Sequence, residues 1–235
     1  MAITPYLAMT AAEYTLCDSL PPKVAWMACH FSPYSTGLSN LPSQLPEGSL
    51  LIVNDSTPIY RHDPDLVAAQ LQKITEQFQC CGVLLDFQHL TGDTCTSLVK
   101  HLCETLPCPT GVSEPLAADL TCPVFLSPCP LYTPLEEHIA PWQGRELWLD
   151  TAWENAEILV REDGTLFSST PCSDNPDTGF LNNNLHCHYN IHLTPHEAVI
   201  SLWRTASDFD AQLQKAEALG ITRAIGLYQE FKKIL

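Results

Sequence analysis

Short apolar runs recur along this chain, and amphipathic helices separate several of them. Most of the runs do not alternate apolar with polar residues, as "SLLIVND" (49–55) and "GVLLDF" (82–87) illustrate, whereas "HCHYNIHL" (186–193) does alternate. Runs of this length and character are typical of strands buried on both faces, as in parallel sheets. Eight candidate strands follow from this pattern, at residues 23–31, 49–55, 82–87, 110–114, 122–128, 145–150, 186–193 and 223–229.

The segment 63–78 carries the strongest helix signal. It opens with Asp63, a good N-cap residue, followed by Pro64 in the first turn. Its apolar residues recur at spacings of three and four, which places them on one helical face. Further helices are predicted at 194–205, where Thr194 and Glu197 have capping-box spacing, at 207–220 ending in Gly220, and at 94–106 and 133–140.

Alternation of strands and helices predicts either a barrel or a doubly wound sheet. A chain of 235 residues fits a TIM-barrel-like (β/α)8 fold, and we expect one such domain over residues 1–235. The stretch 156–170 breaks the alternation, because two β-rich runs flank Asp163-Gly164. We predict a β-hairpin excursion there.

Composition narrows the range of partners. The formal net charge is −16 and the chain has only 11 Lys and Arg residues, which argues against nucleic acids and anionic membrane surfaces. Neither a signal peptide nor an apolar run long enough to span a membrane is evident, so we expect a cytoplasmic protein. The 11 cysteines lack C-x-x-C spacing and are predicted to be reduced thiols. Without a glycine-rich phosphate loop, no cofactor is predicted.

Candidate functional residues follow from the fold, because barrel enzymes carry their working groups at the C-terminal ends of the strands. Asp86 is the foremost candidate, since a carboxylate beside Leu85 and Phe87 is costly to bury unless it is hydrogen-bonded or used. The alternative is that polar residues merely mark strand ends. The strand-end candidates are His30, Asn54, Asp55, Asp86, Gln88, Glu114, Asp150, Tyr228, Gln229 and Glu230.

The segment "HCHYNIH" offers a second cluster. In a strand, His186, His188, Asn190 and His192 would share one face. A His-x-His pair can hold a divalent metal, but no carboxylate accompanies it in the sequence. We therefore predict a polar strand face and no metal site.

The unit 51–88 resembles the family 18 glycoside hydrolases, the chitinase-like barrels. In that family a strand carries the motif Asp-x-x-Asp-x-Asp-x-Glu, onto which Cys81, Leu84, Asp86 and Gln88 fall here. Only the third acid, Asp86, is present. The segment "RAIGLYQEF" (223–231) is similar to the family's last strand, and Tyr228 would then form the floor of a sugar site.

The resemblance implies altered chemistry. The family's Glu protonates the glycosidic oxygen, and the Asp two residues earlier orients the substrate's acetamide, which acts as nucleophile. Gln88 cannot donate that proton, although its amide can hydrogen-bond a sugar. The expected function is thus binding of a carbohydrate, an oligosaccharide or a similar polar small molecule near Asp86, without ordinary hydrolysis. The catalytic candidates are Asp86, Glu114 and Asp150, and the ligand-binding candidates are His30, Asn54, Asp55, Gln88, Tyr228 and Glu230.

Two alternatives stay open. The chain is a glycoside hydrolase if Asp86 works with Glu114 or Asp150, with carboxyls ~5 Å apart in a retaining enzyme or roughly 6.5–9.5 Å apart in an inverting one. It is a non-enzymatic interaction protein if its strand-end acids serve structure alone.

Overall fold

A computed structural model describes residues 3–56, 62–89, 92–152, 155–164, 166–169 and 179–232. Its strands are β1 (Tyr6–Met9), β2 (Val24–Phe31), β3 (Leu38–Ser39), β4 (Leu50–Asn54), β5 (Gly82–Asp86), β6 (Thr110–Ser113), β7 (Val124–Leu126), β8 (Leu147–Asp150), β9 (Ala156–Arg161), β10 (Leu166–Ser169), β11 (Phe180–Asn182), β12 (Cys187–Leu193), β13 (Glu197–Trp203) and β14 (Ile221–Leu227). Its helices are α1 (Ala11–Leu16), α2 (Pro64–Gln77), α3 (Asp93–Thr105), α4 (Glu114–Ala117), α5 (Leu135–Ile139), α6 (Ala206–Ala218) and α7 (Tyr228–Phe231), with a 3-10 turn at Ala140–Trp142.

Eight parallel strands close into a ring. Around the barrel the order is β1, β2, β4, β5, β6, β7, β8 and β14, and pairing of β14 with β1 completes the circle. The short strand β3 adds antiparallel to the end of β2. The predicted TIM-barrel-like fold is confirmed.

One ring member differs from the prediction. Strand β1 pairs with both β2 and β14, although its four residues are too few to show a strand pattern in the sequence. The segment 186–193 does form a strand, β12, but it lies in a second sheet outside the ring. The predicted number of barrel strands, eight, is therefore correct, but the segment 186–193 was predicted in the place that β1 occupies.

A five-stranded antiparallel sheet, in the order β10, β9, β13, β12, β11, follows the barrel strand β8. The predicted hairpin at 156–170 is confirmed as β9 and β10, with Gly164 at φ +79° in the turn. The prediction of a helix at 194–205 is wrong, because β13 occupies Glu197–Trp203. Ile200 pairs with Ile191 and Ile158 in neighbouring strands, and such cross-strand apolar contacts override a local capping signal.

The helices form the outer layer of the barrel. In α2, the side chain of Asp63 accepts hydrogen bonds from the backbone N–H groups of Asp65 and Leu66, as expected of an N-cap. The inward face of α2 buries Val67 and Leu71 against the outer surface of the ring. The predicted helices at 94–106, 133–140 and 207–220 are confirmed as α3, α5 and α6, with shifted ends. In the described part of the chain, no helix combines the length and apolarity that crossing a bilayer requires.

The N-terminal half of the barrel interior is filled by one large side chain. Trp148 is fully buried, and the guanidinium of Arg223 lies 4.2 Å from the centre of its ring. Gly111 makes room for this indole, because a Cβ at that position would lie 2.4 Å from Cε3 of Trp148. The indole Nε1 donates a hydrogen bond to Glu146 at 3.0 Å. The interior is thus closed at one end, and open space is left at the C-terminal mouth.

Gly111→Ala is expected to lower the free energy of unfolding by about 1–3 kcal/mol, because the new methyl group overpacks the indole of Trp148. Urea denaturation of the purified variant measures this loss. The matched control is the double variant Gly111→Ala with Trp148→Leu, compared with Trp148→Leu alone. In that background the alanine should cost less, and an equal cost in both backgrounds would contradict the proposed clash.

Candidate functional site

A cavity of about 230 Å³ opens at the C-terminal mouth of the barrel. Its floor is apolar and comes from inward-facing residues of five strands, Ala8, Ile52, Leu84, Phe125 and Ile225. Polar side chains lie above this floor and are Asn54, Asp86, Asp150, Thr151 and Glu230. The remaining lining is Met27, Pro128, Ala152, Gly226 and Leu227.

Asp86 ends β5 and stands opposite Asn54, the last residue of β4. Its Oδ1 accepts a hydrogen bond from the Gln88 amide at 2.5 Å and lies 3.3 Å from the Ser113 hydroxyl. Burial raises the pKa of Asp86, while the hydrogen bonds from Gln88 and Ser113 act in the opposite direction. A carboxyl placed in this way is held in one orientation and is more easily protonated than an exposed aspartate.

Asn54 is positioned by an irregularity in β2. The register between β2 and β4 shifts between Trp26 and Cys29, which inserts an extra residue in β2. The Nδ2 of Asn54 donates a hydrogen bond to the carbonyl of Met27 at 2.8 Å within this bulge. Its Oδ1 accepts from the backbone N–H of Ser56 at 3.1 Å. A bulge of this kind re-aims side chains beside a site, and here it fixes the amide at the cavity wall.

The opposite wall comes from the ends of β8 and β14. Asp150 is the last residue of β8, and Glu230 lies in α7, immediately beyond β14. Thr151 ties these two elements together, because its N–H and its hydroxyl both donate to the carbonyl of Ile225, at 2.7 and 2.8 Å. Asp86, Asp150 and Glu230 thus enter one cavity from three separate elements.

Four predicted site residues therefore line a common cavity: Asn54, Asp86, Asp150 and Glu230. Two more lie close to it without contributing to its wall. Gln88 is exposed and bonds to Asp86, and His30 pairs in register with Asn54, with its Nδ1 3.1 Å from the carbonyl of Ala28.

Asp55 points away from the cavity and is buried. Its Oδ2 accepts a hydrogen bond from the backbone N–H of His89 at 2.6 Å, and its Oδ1 lies 3.2 Å from the imidazole Nδ1 of the same residue. Because the carboxylate holds the loop after β5, its placement indicates a role in shaping the mouth.

Glu114 lies outside the cavity wall as well. Its carboxylate accepts hydrogen bonds from Trp142 Nε1 at 3.0 Å and from the backbone N–H and hydroxyl of Ser127, at 2.9 and 2.7 Å. These contacts fasten the end of β6 to the segment after β7.

Tyr228 was expected on the last strand, but β14 ends at Leu227 and Tyr228 begins α7. Its hydroxyl lies 3.4 Å from the thiol of Cys17, and its ring packs against the cluster formed by Leu7, Phe209 and Phe231. Leu227 is the residue of this segment that lines the cavity. A shift of one residue in the strand end changes which side chain faces inward.

The histidine segment forms β12 only from Cys187 onward, and His186 occupies a turn with φ +48°. His188 stacks on Trp203 and its Nδ1 lies 2.7 Å from Asp208, whereas His192 is exposed. Across the described residues, no group of three His, Cys, Asp or Glu side chains is arranged to hold a metal ion.

The sequence prediction missed Thr151 and the apolar lining, including Met27, Phe125 and Pro128. For Thr151 a signal existed, since it directly follows Asp150 at a predicted strand end. Met27 could not be found, because it faces the cavity only through the β2 bulge, which has no signature in the sequence.

Comparison with known proteins gives matches in structure alone. No protein-family model and no curated protein matches the sequence. The spore cortex-lytic enzyme SleL of Bacillus cereus matches with a TM-score of 0.56 and 7% identity, over 95% of this chain and 70% of that one. SleL of Bacillus megaterium QM B1551 matches with a TM-score of 0.54 and 8% identity, over 95% of this chain and 69% of that one. A chitinase from Chromobacterium violaceum matches with a TM-score of 0.51 and 11% identity, over 95% of this chain and 93% of that one. At these identities the likeness establishes a common barrel fold.

Proposed function

We propose that this chain binds a carbohydrate or a similarly hydroxyl-rich small molecule in the cavity at the barrel mouth, with Asp86 as the central hydrogen-bonding group. The observation that carries this proposal is the convergence of Asp86, Asp150 and Glu230 with Asn54 above an apolar floor. Carboxylates accept hydrogen bonds from hydroxyl groups, and a sugar ring also has apolar C–H faces that pack on such a floor.

The size of the cavity favours a small ligand. Its volume of about 230 Å³ lies below the ~300–1,000 Å³ typical of ligand pockets. A single ring at the end of a longer molecule fits this volume better than several rings together. Carbohydrate is also the substrate class that the name of the chitinase with the same fold indicates.

Hydrolysis is the second candidate, and one observation favours it. Burial raises the pKa of Asp86, which is the property required of a carboxylic acid that protonates a leaving group. Asp150 lines the same cavity and is the better partner for Asp86. Glu114 lies outside the cavity wall, with its carboxylate engaged by Trp142 and Ser127.

Titration with N-acetylglucosamine and its short oligomers tests the binding proposal, with the rise in melting temperature as the measurement. Wild-type protein should be stabilised in a concentration-dependent manner, because a ligand that binds only the folded state raises its stability. Asp150→Asn should weaken binding by about 10-fold, the equivalent of one hydrogen bond to a charged group.

Asp210→Asn is the matched control, since it makes the same chemical change at an exposed position on α6. This variant should bind as the wild type does. Stabilisation by none of the sugars, or equal weakening by both substitutions, would refute the proposed site.

The hydrolytic alternative has its own measurement. Chitotriose is incubated with the protein, and shorter products are sought by mass spectrometry. Cleavage that Asp86→Asn abolishes and Asp210→Asn leaves intact would establish hydrolysis at this site. Binding without any cleavage would eliminate the hydrolytic alternative.

A further inference from the structure

The five-stranded sheet outside the barrel has one face that is apolar along its three central strands. Every second residue of 156–160 in β9, of 187–193 in β12 and of 198–202 in β13 points to this side, and all of them are apolar. Phe180 of β11 lies on the same side, because it pairs with Tyr189. We refer to this set of side chains as the apolar face.

The pairing register makes the apolar face continuous from strand to strand. Ile191 pairs with Ile200, and Ile200 pairs with Ile158, so three isoleucines form a row across the sheet. The ring centres of Phe180 and Tyr189 lie 5.7 Å apart at the β11 side. Cross-strand neighbours of this kind join into one surface.

The barrel covers one end of the apolar face. Cys187 is fully buried there, in a cluster with Leu131 from the segment that follows β7. Farther from that end the side chains become exposed, Ile191 to 49%, Phe180 to 66% and Leu193 to 73%. The apolar face of an antiparallel sheet normally packs against a second layer, and contiguous exposed apolar surface marks an interaction site.

The opposite face of the same sheet carries the polar side chains. Its positions include Glu157, Arg161, His192 and Glu197, which alternate along the strands with residues of the apolar face. This side is therefore suited to water, as expected for an antiparallel sheet with one solvated face. The alternation predicts that the apolar side is built to be covered.

The absence of charge from the apolar face favours a second copy of this chain as its partner. The whole chain has a formal net charge of −16. A two-fold interface places a surface patch against its own copy, so an acidic patch would meet identical charges and repel itself. The apolar face is a part of this acidic chain that a second copy can approach without that cost.

The dimensions of the sheet are sufficient for a weak dimer. Spacings of ~3.4 Å along a strand and ~4.8 Å between strands give each face a flat area of roughly 400 Å². Two copies would cover roughly 800 Å² of flat area together, and more once projecting side chains are counted, which is near the ~1,000 Å² expected of a specific interface. We therefore expect a dissociation constant in the micromolar range.

We propose that the apolar face is the interface of a symmetric homodimer, in which the second sheets of two copies pack face to face. Sheets packed in this way lie ~10 Å apart with interdigitating side chains. Each copy supplies the second layer for the exposed part of the other, and the two-fold arrangement closes at two copies. The proposal does not depend on the function proposed for the cavity.

Sedimentation velocity of the whole chain, over a concentration series that spans the micromolar range, tests the proposal without any ligand. Wild-type protein should pass from monomer to dimer as its concentration rises. Leu193→Glu should weaken association by about 100-fold or more, because each dimer loses two apolar contacts and gains two like charges. Leu181→Glu is the matched control, since it makes the same change at a leucine that is 51% exposed on the opposite face of the sheet, and it should leave the dimer intact.

Ile191→Thr is a second variant that keeps the sheet if Leu193→Glu does not fold, because threonine has the branched Cβ that strands favour. It should weaken the dimer by about 10-fold through the loss of apolar surface in both copies. A wild-type protein that stays monomeric at every concentration would overturn the proposal, as would equal weakening by Leu193→Glu and Leu181→Glu. An open-ended series of oligomers would also overturn it, since that result indicates pairing through the sheet edges β10 and β11.

Ionic strength provides an independent check on the apolar character of the interface. Both copies carry a net charge of −16, so their overall repulsion opposes association. Raising the salt concentration from about 0.01 M to about 0.15 M shortens the Debye length from ~30 Å to ~8 Å and should strengthen the dimer. A dimer that weakens as salt rises would depend on charge pairs and would contradict the proposed interface.

Discussion

Trp148→Ala is expected to lower the free energy of unfolding by about 3–5 kcal/mol, the largest effect on stability that we predict. The indole is fully buried inside the ring, and Gly111 leaves the space that it occupies. Truncation would open a cavity at the centre of the barrel and would remove the ring on which Arg223 stacks. Chemical denaturation with a two-state fit measures the loss.

Tyr34→Ala is the control for this experiment, because that side chain is 97% exposed and its removal should change stability by no more than about 0.5 kcal/mol. If Trp148→Ala lowered the free energy of unfolding no more than Tyr34→Ala does, the indole would contribute no more to stability than an exposed side chain, and the prediction would be wrong.

Asp86→Asn is expected to weaken sugar binding by about 10- to 100-fold, the equivalent of losing a hydrogen bond to a charged acceptor. The same substitution should make the free protein more stable at neutral pH. Because burial raises the pKa of Asp86, folding favours the protonated carboxyl, and that contribution is lost as the pH rises through the folded-state pKa. Asparagine carries no charge and keeps an oxygen that can accept from Gln88 and Ser113.

The pH dependence separates this explanation from a general change in stability. The advantage of Asp86→Asn over wild type should be present at pH 7 and should disappear at acid pH, below the ordinary pKa of aspartate, where the wild-type carboxyl is protonated too. Thermal unfolding of both proteins across this range, without ligand, gives the comparison. An advantage that is independent of pH would contradict the assigned cause.

A gain in stability together with a loss of binding would be informative. A residue retained at a cost in stability is typical of functional sites. A variant that binds normally would instead place the ligand away from Asp86.

Most of the barrel could be predicted because its strands carry their signal locally. The run 82–87 is apolar up to Asp86, and its two neighbours in the ring, β4 and β6, lie in segments predicted as strands from the same kind of pattern. Strand β1 could not be recognised, since four residues flanked by "ITP" and "TAAEY" have no periodicity of their own. Its identity comes from pairing with Val24–Trp26 on one side and Ile225–Leu227 on the other, which are contacts distant in sequence.

The segment 194–205 shows the opposite failure. Thr194, Pro195 and Glu197 are the residues expected at a helix start, but they form a turn in which the Thr194 N–H donates to the Glu197 carbonyl at 2.9 Å. Two of the residues that follow, Val199 and Ile200, are β-branched, and the segment packs in a sheet. Strand propensity and pairing with β9 and β12 therefore outweigh the local capping signal in this segment.

The candidate site could be predicted only in part, for a geometric reason. The predicted strand ends identify four residues that line the cavity, Asn54, Asp86, Asp150 and Glu230. The sequence does not distinguish these four from Asp55 and Glu114. Both of these residues also lie at strand ends, but their carboxylates bind other partners, His89 and Trp142. The direction of a side chain at the last position of a strand depends on bulges and strand-end shifts, which composition does not record.

Closure of the ring through β1 and β14 has a consequence for biosynthesis. Tyr6 pairs with Ile225, so the seam joins segments from near the two ends of the chain. While the chain emerges from the ribosome, the free edges of β1 and β8 have no partner until residues 221–227 appear, and such edges are prone to pair with other chains. Closure of the ring therefore depends on a single strand, β14, and slow translation before it would prolong the exposure of these two edges.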